Sequence, residues 1–179
     1  LQTKLELFAE EHPAMDAETA GLVSSLREQL DRLTALVRTL LEMSNLQSVS
    51  RTDQIALAPL VEEILTDLTP LAQKNNISLQ QDCEELGMVG SDALIYRLVF
   101  NLVENGIKYN RPGGFVKLLL AGDEKDCLLT VSDNGIGIPE GDMPRIFDRF
   151  YRVDKMRSRA AGGTGLGLAI TRRFVELMG

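Results

Sequence analysis

The sequence predicts an α+β protein, a two-layer α/β sandwich that is preceded by an antiparallel helical hairpin. Apolar residues recur at helical spacing in several segments, and three shorter stretches have the apolar pattern of β-strands. Because these strands and helices do not alternate regularly, they favour a sandwich over a doubly wound parallel sheet. The sequence becomes polar around 48–53, so we predict a partial helical hairpin over 1–50 and a globular domain over 51–179.

The first 50 residues have the pattern of two helices. Leu1, Leu5 and Phe8 share a helical spacing, and Pro13 then interrupts it. A second helix is predicted over 23–47, where apolar residues alternate at steps of three and four and extra leucines widen the stripe beyond a two-stranded seam. This favours a bundle formed by two copies of a hairpin. An amphipathic helix packed on the neighbouring domain remains the alternative.

In the second domain the sequence predicts three helices and three strands. One helix follows Pro59 and stops at Lys74-Asn75-Asn76. The predicted strands cover 77–81, 115–121 and 127–132. The other two helices cover about 92–109 and a run from near Gly165 through Leu177.

Composition excludes several classes of function. A net charge of −7 argues against a general nucleic-acid grip, which requires a basic face. Cys83, Cys127 and the single His12 support neither a disulfide framework nor a zinc site. From Arg145 to Arg173, however, the sequence contains eight basic residues and only two acidic ones, and this cationic segment suits a small polyanion.

The segment NLVENGIKYN, residues 101–110, falls on a predicted helix. Asn101, Asn105 and Lys108 are spaced four and three apart, so they share one helical face. An amide oxygen such as that of Asn105 suits Mg²⁺, and a lysine one turn later can meet a phosphate. A polar, solvated helix face is the alternative interpretation.

The segment SDNGIGIP, residues 132–139, directly follows a predicted strand. Gly135 and Gly137 would let the backbone approach a ligand, and the Asp133 carboxylate can accept a hydrogen bond from an exocyclic amine such as that of adenine. Taken alone, the same residues also fit an ordinary tight turn.

Two further segments are RIFDRFYRVDK, residues 145–155, and GGTGLGLAI, residues 162–170. Glycines at the start of a helix leave backbone N–H groups for phosphate oxygens, and the helix dipole adds to the attraction. Leu168 stands where G-x-G-x-x-G requires its third glycine, and no G-x-x-x-x-G-K-[ST] occurs. The Rossmann and P-loop interpretations therefore fail.

Together and in this order, the four segments resemble the N, G1, F and G2 boxes of sensor histidine kinases, within the wider gyrase, Hsp90, histidine kinase and MutL superfamily. The resemblance runs from about Gln54 to Gly179 and implies a Bergerat-type ATP-binding fold. The 23–47 helix, which ends in LLEMSNLQS, resembles the second helix of the family's dimerisation and phosphotransfer domain.

The resemblance also implies a role for each residue. It implies that Asn105 is the Mg²⁺ ligand and that Asp133 binds the adenine of ATP. Tyr109 would flank the base, and Gly135 and Gly137 would shape the pocket. The catalytic residues implied at the phosphates are Asn101, Lys108 and Arg149. Arg152 would approach the phosphates too, and Gly163, Thr164, Gly165, Leu166 and Gly167 would hold them beneath a lid of about 150–162. Glu104, expected to point elsewhere on the helix, could still polarise the nucleophile.

The implied function is transfer of the γ-phosphoryl group of Mg²⁺-ATP to a histidine on the hairpin of a homodimer, for relay to a response regulator. The chain would be the cytoplasmic part of a sensor that reaches the membrane only through upstream segments. Two alternatives are an ATP hydrolase of the same superfamily and a non-catalytic nucleotide-binding dimerisation scaffold. Related hydrolases have a glutamate where this chain has Asn101, and an amide cannot act as a base.

The phosphoacceptor motif of the family, H-E-x-x-[TN]-P, does not occur in the sequence. His12 is followed by Pro-Ala-Met, and a proline disfavours helical geometry at the residue before it. We therefore predict that His12 is not the acceptor and that the acceptor lies upstream of Leu1. Because the chain begins on Leu and stops where the family continues into two closing strands, we expect it to be part of a longer protein.

Overall fold

A computed structural model describes residues 16–45, 51–123, 126–153 and 165–178. The chain divides into two compact units, Leu1–Gln47 and Ser48–Gly179. Among the described residues, no helix combines the length and the apolar character needed to cross a membrane. The described residues do not include the predicted first helix, which contains Leu1, Leu5 and Phe8, or His12.

In the first unit the structure describes one helix, α1 (Ala17–Asn45). It begins earlier than the predicted start at Val23, because Asp16 caps it. The Asp16 carboxylate accepts hydrogen bonds from the Thr19 N–H at 2.7 Å and from the Thr19 hydroxyl at 3.0 Å, and such caps satisfy donors that the first helical turn leaves unpaired. These bonds lower the pKa of Asp16.

The second unit contains the remaining helices and strands. In chain order these are β1 (Asp53–Ala56), α2 (Leu57–Asn75), β2 (Ser78–Cys83), β3 (Gly87–Gly90), α3 (Asp92–Lys108), β4 (Phe115–Gly122), β5 (Cys127–Asp133) and α4 (Gly167–Met178). A 3₁₀ turn at Met143–Arg145 lies between β5 and α4. Strand β4 is the centre of a three-stranded sheet, parallel to β2 and antiparallel to β5, while β1 and β3 form a separate antiparallel pair.

The core lies between helices α2 and α3 and one face of the three-stranded sheet. Alternate residues of β4 are fully buried, as the two-residue period of a strand requires, and the buried residues of both helices meet them. The side chains least exposed to solvent in this core are Val61, Ile64, Val99, Val103, Ile107, Val116, Leu118 and Leu120. Helix α4 packs on α3, with Phe174 buried at 1% exposure.

The predicted fold class is confirmed, and the three predicted strands and three domain helices are all present. Strands β1 and β3 were not predicted, because each has only four residues and β3 begins and ends with glycine. One of the missed strands has a structural role at α3. The Asp53 carboxylate in β1 accepts a hydrogen bond from the Asp92 N–H at 3.3 Å, so β1 helps to fix where α3 begins.

We predict that Leu118→Ala destabilises the second unit far more than Leu128→Ala. Leu118 is 0% exposed at the centre of the sheet, whereas Leu128 on the neighbouring strand is 63% exposed. Truncating the buried leucine should lower the free energy of unfolding by roughly 2–5 kcal/mol, and truncating the exposed one by less than about 0.5 kcal/mol. Urea unfolding followed by circular dichroism measures both, and equal losses would show that the core is not where this packing places it.

Candidate functional site

One face of α3 carries the polar side chains that the sequence singled out. Asn101, Asn105 and Lys108 are all partly buried there. Glu104, one turn before Lys108, pairs with it: its Oε1 is 2.8 Å from Lys108 Nζ. The helical spacing of four residues accounts for this ion pair. Both side chains are about a quarter exposed to solvent, 29% for Glu104 and 25% for Lys108.

The end of β5 lies beside α3 at Gly106. A Cβ built on Gly106 would lie 3.7 Å from the Cβ of Asp133, and 3.1 Å from Val116 Cγ2 on the central strand. Gly106 directly follows Asn105, so the predicted adenine acceptor lies against the residue next in sequence to the predicted metal ligand. The structure therefore brings the first two motifs together.

The loop after β5 is fastened to the end of α3 through its backbone. The Ile136 N–H donates a hydrogen bond to the Tyr109 carbonyl at 3.1 Å. Gly135 passes so close that a Cβ on it would lie 2.5 Å from the same carbonyl oxygen. Its N–H donates to Asp133 Oδ1 at 2.9 Å, so the exposed Asp133 carboxylate also shapes the turn. Gly137 has a φ of +71° with no atom near a Cβ position, which a glycine adopts at no steric penalty.

Two asparagines that the sequence analysis gave no role hold the base of this loop. The Asn110 amide nitrogen donates to the Gly106 carbonyl at 3.0 Å and to the Phe115 carbonyl at 2.9 Å. The Phe115 N–H in turn donates to Asn134 Oδ1 at 2.7 Å. Asparagine next to a turn was the available signal, since its side chain readily bonds nearby backbone groups.

The start of α4 lies beside Asn105. A Cβ built on Gly167, the first residue of α4, would be 3.7 Å from Asn105 Nδ2. The first turn of a helix has N–H groups without helical acceptors and a partial positive charge. Leu166, predicted to touch the nucleotide, is instead 0% exposed, so it anchors the start of α4 in the core and offers no surface to a ligand. Gly163 and Thr164 lie outside the described residues.

The arginine-rich segment meets the start of α4 through Phe150, whose N–H donates to the Gly165 carbonyl at 2.8 Å. Arg149 is exposed and Arg152 is partly buried on either side of this contact. Of the predicted lid over 150–162, residues 150–153 are described and the rest lie outside the described residues.

Part of the cationic segment is already paired with acids. Arg145 lies 3.6 Å from an Asp148 carboxylate oxygen, and Arg172 and Arg173 both contact Glu176, at 3.0 and 3.2 Å. These two arginines lower the pKa of Glu176 by hydrogen bonding. In the described ranges, no three His, Cys, Asp or Glu residues gather as they would in an all-protein metal site, whereas Mg²⁺ in phosphate-binding sites takes much of its coordination from the substrate.

The arrangement defines a class of site. Around the C-terminal end of α3 it gathers an amide, an ammonium group, a carboxylate and the N-terminus of a second helix, contributed by Asn105, Lys108, Asp133 and α4. This set suits a ligand with a hydrogen-bonding base at one end and several negative charges at the other, as in a nucleoside polyphosphate.

The comparisons agree with this class. Residues 90–179 match the family described as histidine kinase-, DNA gyrase B- and HSP90-like ATPases. The chain belongs to this family, and its ATPase domain is of the histidine kinase type, since its relatives are sensor histidine kinases. The predicted resemblance is thereby confirmed.

Individual relatives show how far the similarity extends. The sensor histidine kinase RppB of Synechocystis sp. is 37% identical over 160 residues, which are 87% of this chain and 35% of that protein. The catalytic domain of histidine kinase ThkA matches with a TM-score of 0.61 and 26% identity over 72% of this chain and 82% of that one. ThkA in complex with response regulator protein TrrA matches with a TM-score of 0.69 and 24% identity over 98% of this chain and 50% of that one. The chain spans less than half the length of the curated relatives it matches.

We predict that Gly135→Ala destabilises the protein while Gly141→Ala, in the same loop, does not. A methyl group at Gly135 would collide with the backbone of Tyr109, whereas nothing lies within 4 Å of a Cβ at Gly141. Forcing the backbone apart should lower the free energy of unfolding by roughly 1–3 kcal/mol. Thermal unfolding of the two variants measures the difference, and coincident midpoints would contradict the described approach of the loop to α3.

Proposed function

We propose that this chain binds Mg²⁺-ATP and transfers its γ-phosphoryl group to a histidine on a dimerisation hairpin, from which a response regulator receives it. The observation that carries the proposal is that Gly106, the residue after Asn105, lies against Asp133, while Asn105 itself lies against Gly167. A metal ligand between a base acceptor and a helix N-terminus matches the order of groups along Mg²⁺-ATP.

The adenine would bind at the end of β5. Asp133 would accept a hydrogen bond from the exocyclic amine, in a turn already set by the bond from the Gly135 N–H. Tyr109 would flank the base, since its backbone is joined to the same loop. Gly135 and Gly137 leave room for the ligand because neither has a side chain.

The phosphates would lie between α3 and the start of α4. Asn101, Lys108 and the N–H groups at Gly165 and Gly167 would contact them, with Arg149 and Arg152 approaching from the neighbouring segment, and Gly163 and Thr164 extending the glycine run. Mg²⁺ would be held by the Asn105 amide oxygen together with phosphate oxygens, and it would neutralise charge on the transferred group. An ammonium group has three N–H donors, so Lys108 would contact a phosphate while keeping its ion pair with Glu104.

Two residues favour transfer over hydrolysis. Asn101 carries an amide, which cannot take a proton from water. Glu104 can in principle do so, but Lys108 holds one of its oxygens at 2.8 Å. Hydrolysis requires an activated water, whereas transfer requires that the acceptor be brought in line with the phosphorus.

The acceptor would stand on the helical unit. Residues 1–50 would form part of the dimerisation and phosphotransfer hairpin, and 51–179 the ATP-binding domain. Several large apolar side chains of α1 are exposed, among them Leu22 at 62%, Leu33 at 58% and Val37 at 48%. A second copy would bury them in a four-helix bundle. The similarity to ThkA, whose structure is known in complex with response regulator protein TrrA, supports a response regulator as the next partner, and the protein would be the cytoplasmic portion of a membrane sensor.

We expect Asn105→Ala and Asp133→Asn each to weaken binding of Mg²⁺-ATP, because one removes a metal ligand and the other changes an adenine acceptor. The loss should be about five- to a hundredfold in dissociation constant, which corresponds to roughly 1–3 kcal/mol. Titration with a fluorescent ATP analogue provides the measurement.

Glu140→Gln is the matched control for these variants. Glu140 is an exposed acid in the same loop region and has no proposed contact with the ligand. The Glu140→Gln variant should therefore bind Mg²⁺-ATP as tightly as the wild type does. Equal affinities for all three variants would show that the pocket is misplaced.

We also expect the chain to bind Mg²⁺-ATP without labelling itself. His12 is followed by Pro13, which disfavours helical geometry at the residue before it, and not by the acidic residue of the family's acceptor motif. Radiolabelled ATP should therefore leave the chain unlabelled, as it should the His12→Gln variant. A supplied hairpin that carries the family's acceptor motif should become labelled when the closing strands are restored. Acid-labile label on the wild type that disappears in His12→Gln would overturn the assignment.

A further inference from the structure

Tyr151 is held from several directions by residues to which the proposed function assigns no part. Its hydroxyl donates a hydrogen bond to Asp142 Oδ1. The Arg145 guanidinium lies 4.3 Å from the centre of its ring, within the range of a cation–π contact. The backbone N–H of Tyr151 donates to the Asp148 carbonyl at 3.2 Å. Tyr151 therefore links Asp142, Arg145 and Asp148, three residues of the turn that begins at Asp142.

The residue before it has an unfavourable backbone conformation. Phe150 has a φ of +65°, which for a bulky residue costs on the order of 1 kcal/mol or more. Its side chain is 55% exposed, so burial of the ring does not account for the conformation. What Phe150 does provide is its N–H, which donates to the Gly165 carbonyl.

Gly165 lies flat against the backbone of residues 150 and 151. A Cβ on it would come within 2.9 Å of the Phe150 carbonyl carbon and 3.0 Å of the Tyr151 carbonyl oxygen. Its φ of +72° is also one that glycine adopts readily. Gly165 stands two residues before the start of α4, where Gly167 adjoins Asn105. A continuous set of contacts thus leads from Asp142 through Tyr151 and Phe150 to the N-terminus of α4.

We propose that Tyr151 is a positioning residue: its hydrogen bond to Asp142 holds the backbone of Phe150 against Gly165 and thereby fixes the start of α4 for the phosphates of the nucleotide. This inference rests on the proposed function. Tyr151 itself touches no reacting atom.

The two ends of the proposed site depend on different contacts. The adenine end is fixed by the bonds from Ile136 to Tyr109 and from Gly135 to Asp133, and neither involves the turn at Asp142. Loss of the Tyr151 hydroxyl should therefore disturb the phosphate end alone. A tyrosine hydroxyl is ordinarily protonated at neutral pH and able to donate, and the hydrogen bond to Asp142 raises the pKa of Tyr151 further.

The test compares two ligands and two tyrosines. Tyr151→Phe should weaken binding of a non-hydrolysable ATP analogue about three- to tenfold while leaving adenosine within about twofold, because only the phosphates contact the displaced backbone. Isothermal titration gives both dissociation constants.

Tyr96→Phe is the matched control. Tyr96 also donates its hydroxyl to a carboxylate, Asp67 Oδ2 at 2.5 Å, and this bond is the main reason that its pKa is raised to about 12. Its ring stacks on Phe100, and its hydroxyl bonds to α2 instead of the segment that meets α4. Tyr96→Phe should bind both ligands as the wild type does.

Variants at Asp142 test whether the hydrogen bond carries the effect. Asp142→Ala removes the acceptor and should weaken the ATP analogue as Tyr151→Phe does, whereas Asp142→Asn keeps an acceptor oxygen and should restore most of the affinity. The double variant Tyr151→Phe/Asp142→Ala should be no weaker than either single one, since both remove the same interaction.

The possible results separate this inference from the proposed function. Unchanged affinity of Tyr151→Phe for the ATP analogue, or equal weakening toward adenosine, would overturn the positioning role while the nucleotide site stands. Failure of the wild type to bind either ligand would overturn the proposed function and this inference with it. Selective loss of phosphate affinity at Tyr151 and not at Tyr96 supports both.

Discussion

The close packing of α3 against β4 at Gly106 is the contact on which the site depends. A glycine inside a helix destabilises it by about 0.5–1 kcal/mol relative to alanine. Here a Cβ would crowd both methyl groups of Val116, at 3.1 and 3.2 Å, so the absence of a side chain sets how deeply α3 sits on the sheet. That depth brings Gly106 against the end of β5 at Asp133, and the preceding residue, Asn105, lies beside Gly167.

The parts of the site are joined mainly through backbone groups, and this leaves the polar side chains for a ligand. The bonds from Ile136 to Tyr109 and from Phe150 to Gly165 connect segments distant in sequence without using a side chain. Two of the polar side chains proposed to contact the ligand are already engaged: Asp133 accepts from the Gly135 N–H, and Lys108 is paired with Glu104, with both side chains partly desolvated. A phosphate at Lys108 would lie close to this carboxylate, so the affinity of the site depends on how well Lys108 and the neighbouring positive groups offset two nearby anions.

Much of this arrangement was predictable, for reasons of period and type of residue. The three- and four-residue spacing of α3 predicts that Asn101, Asn105 and Lys108 share a face, and the same spacing accounts for the ion pair of Lys108 with Glu104. The sequence analysis missed strands β1 and β3 because four residues are too few to show a period. Side-chain-to-backbone bonds such as those of Asn110, and contacts such as that of Phe150 with Gly165, depend on how segments meet in space. Neither has a periodic signature in the sequence.

The proposed function requires an active site that positions a phosphoryl group and receives its nucleophile from elsewhere. Where water is the nucleophile, a base must lie within hydrogen-bonding reach of it. On the site face of α3, the one carboxylate, Glu104, is bound to Lys108, and Asn101 has only a neutral amide. At the other end, Asp133 is engaged by the Gly135 N–H and adjoins the predicted position of the base, not of the γ-phosphate. A neutral imidazole supplied on another helix would bring its own lone pair, so the site would need only to hold the phosphoryl group in line and to offset its charge.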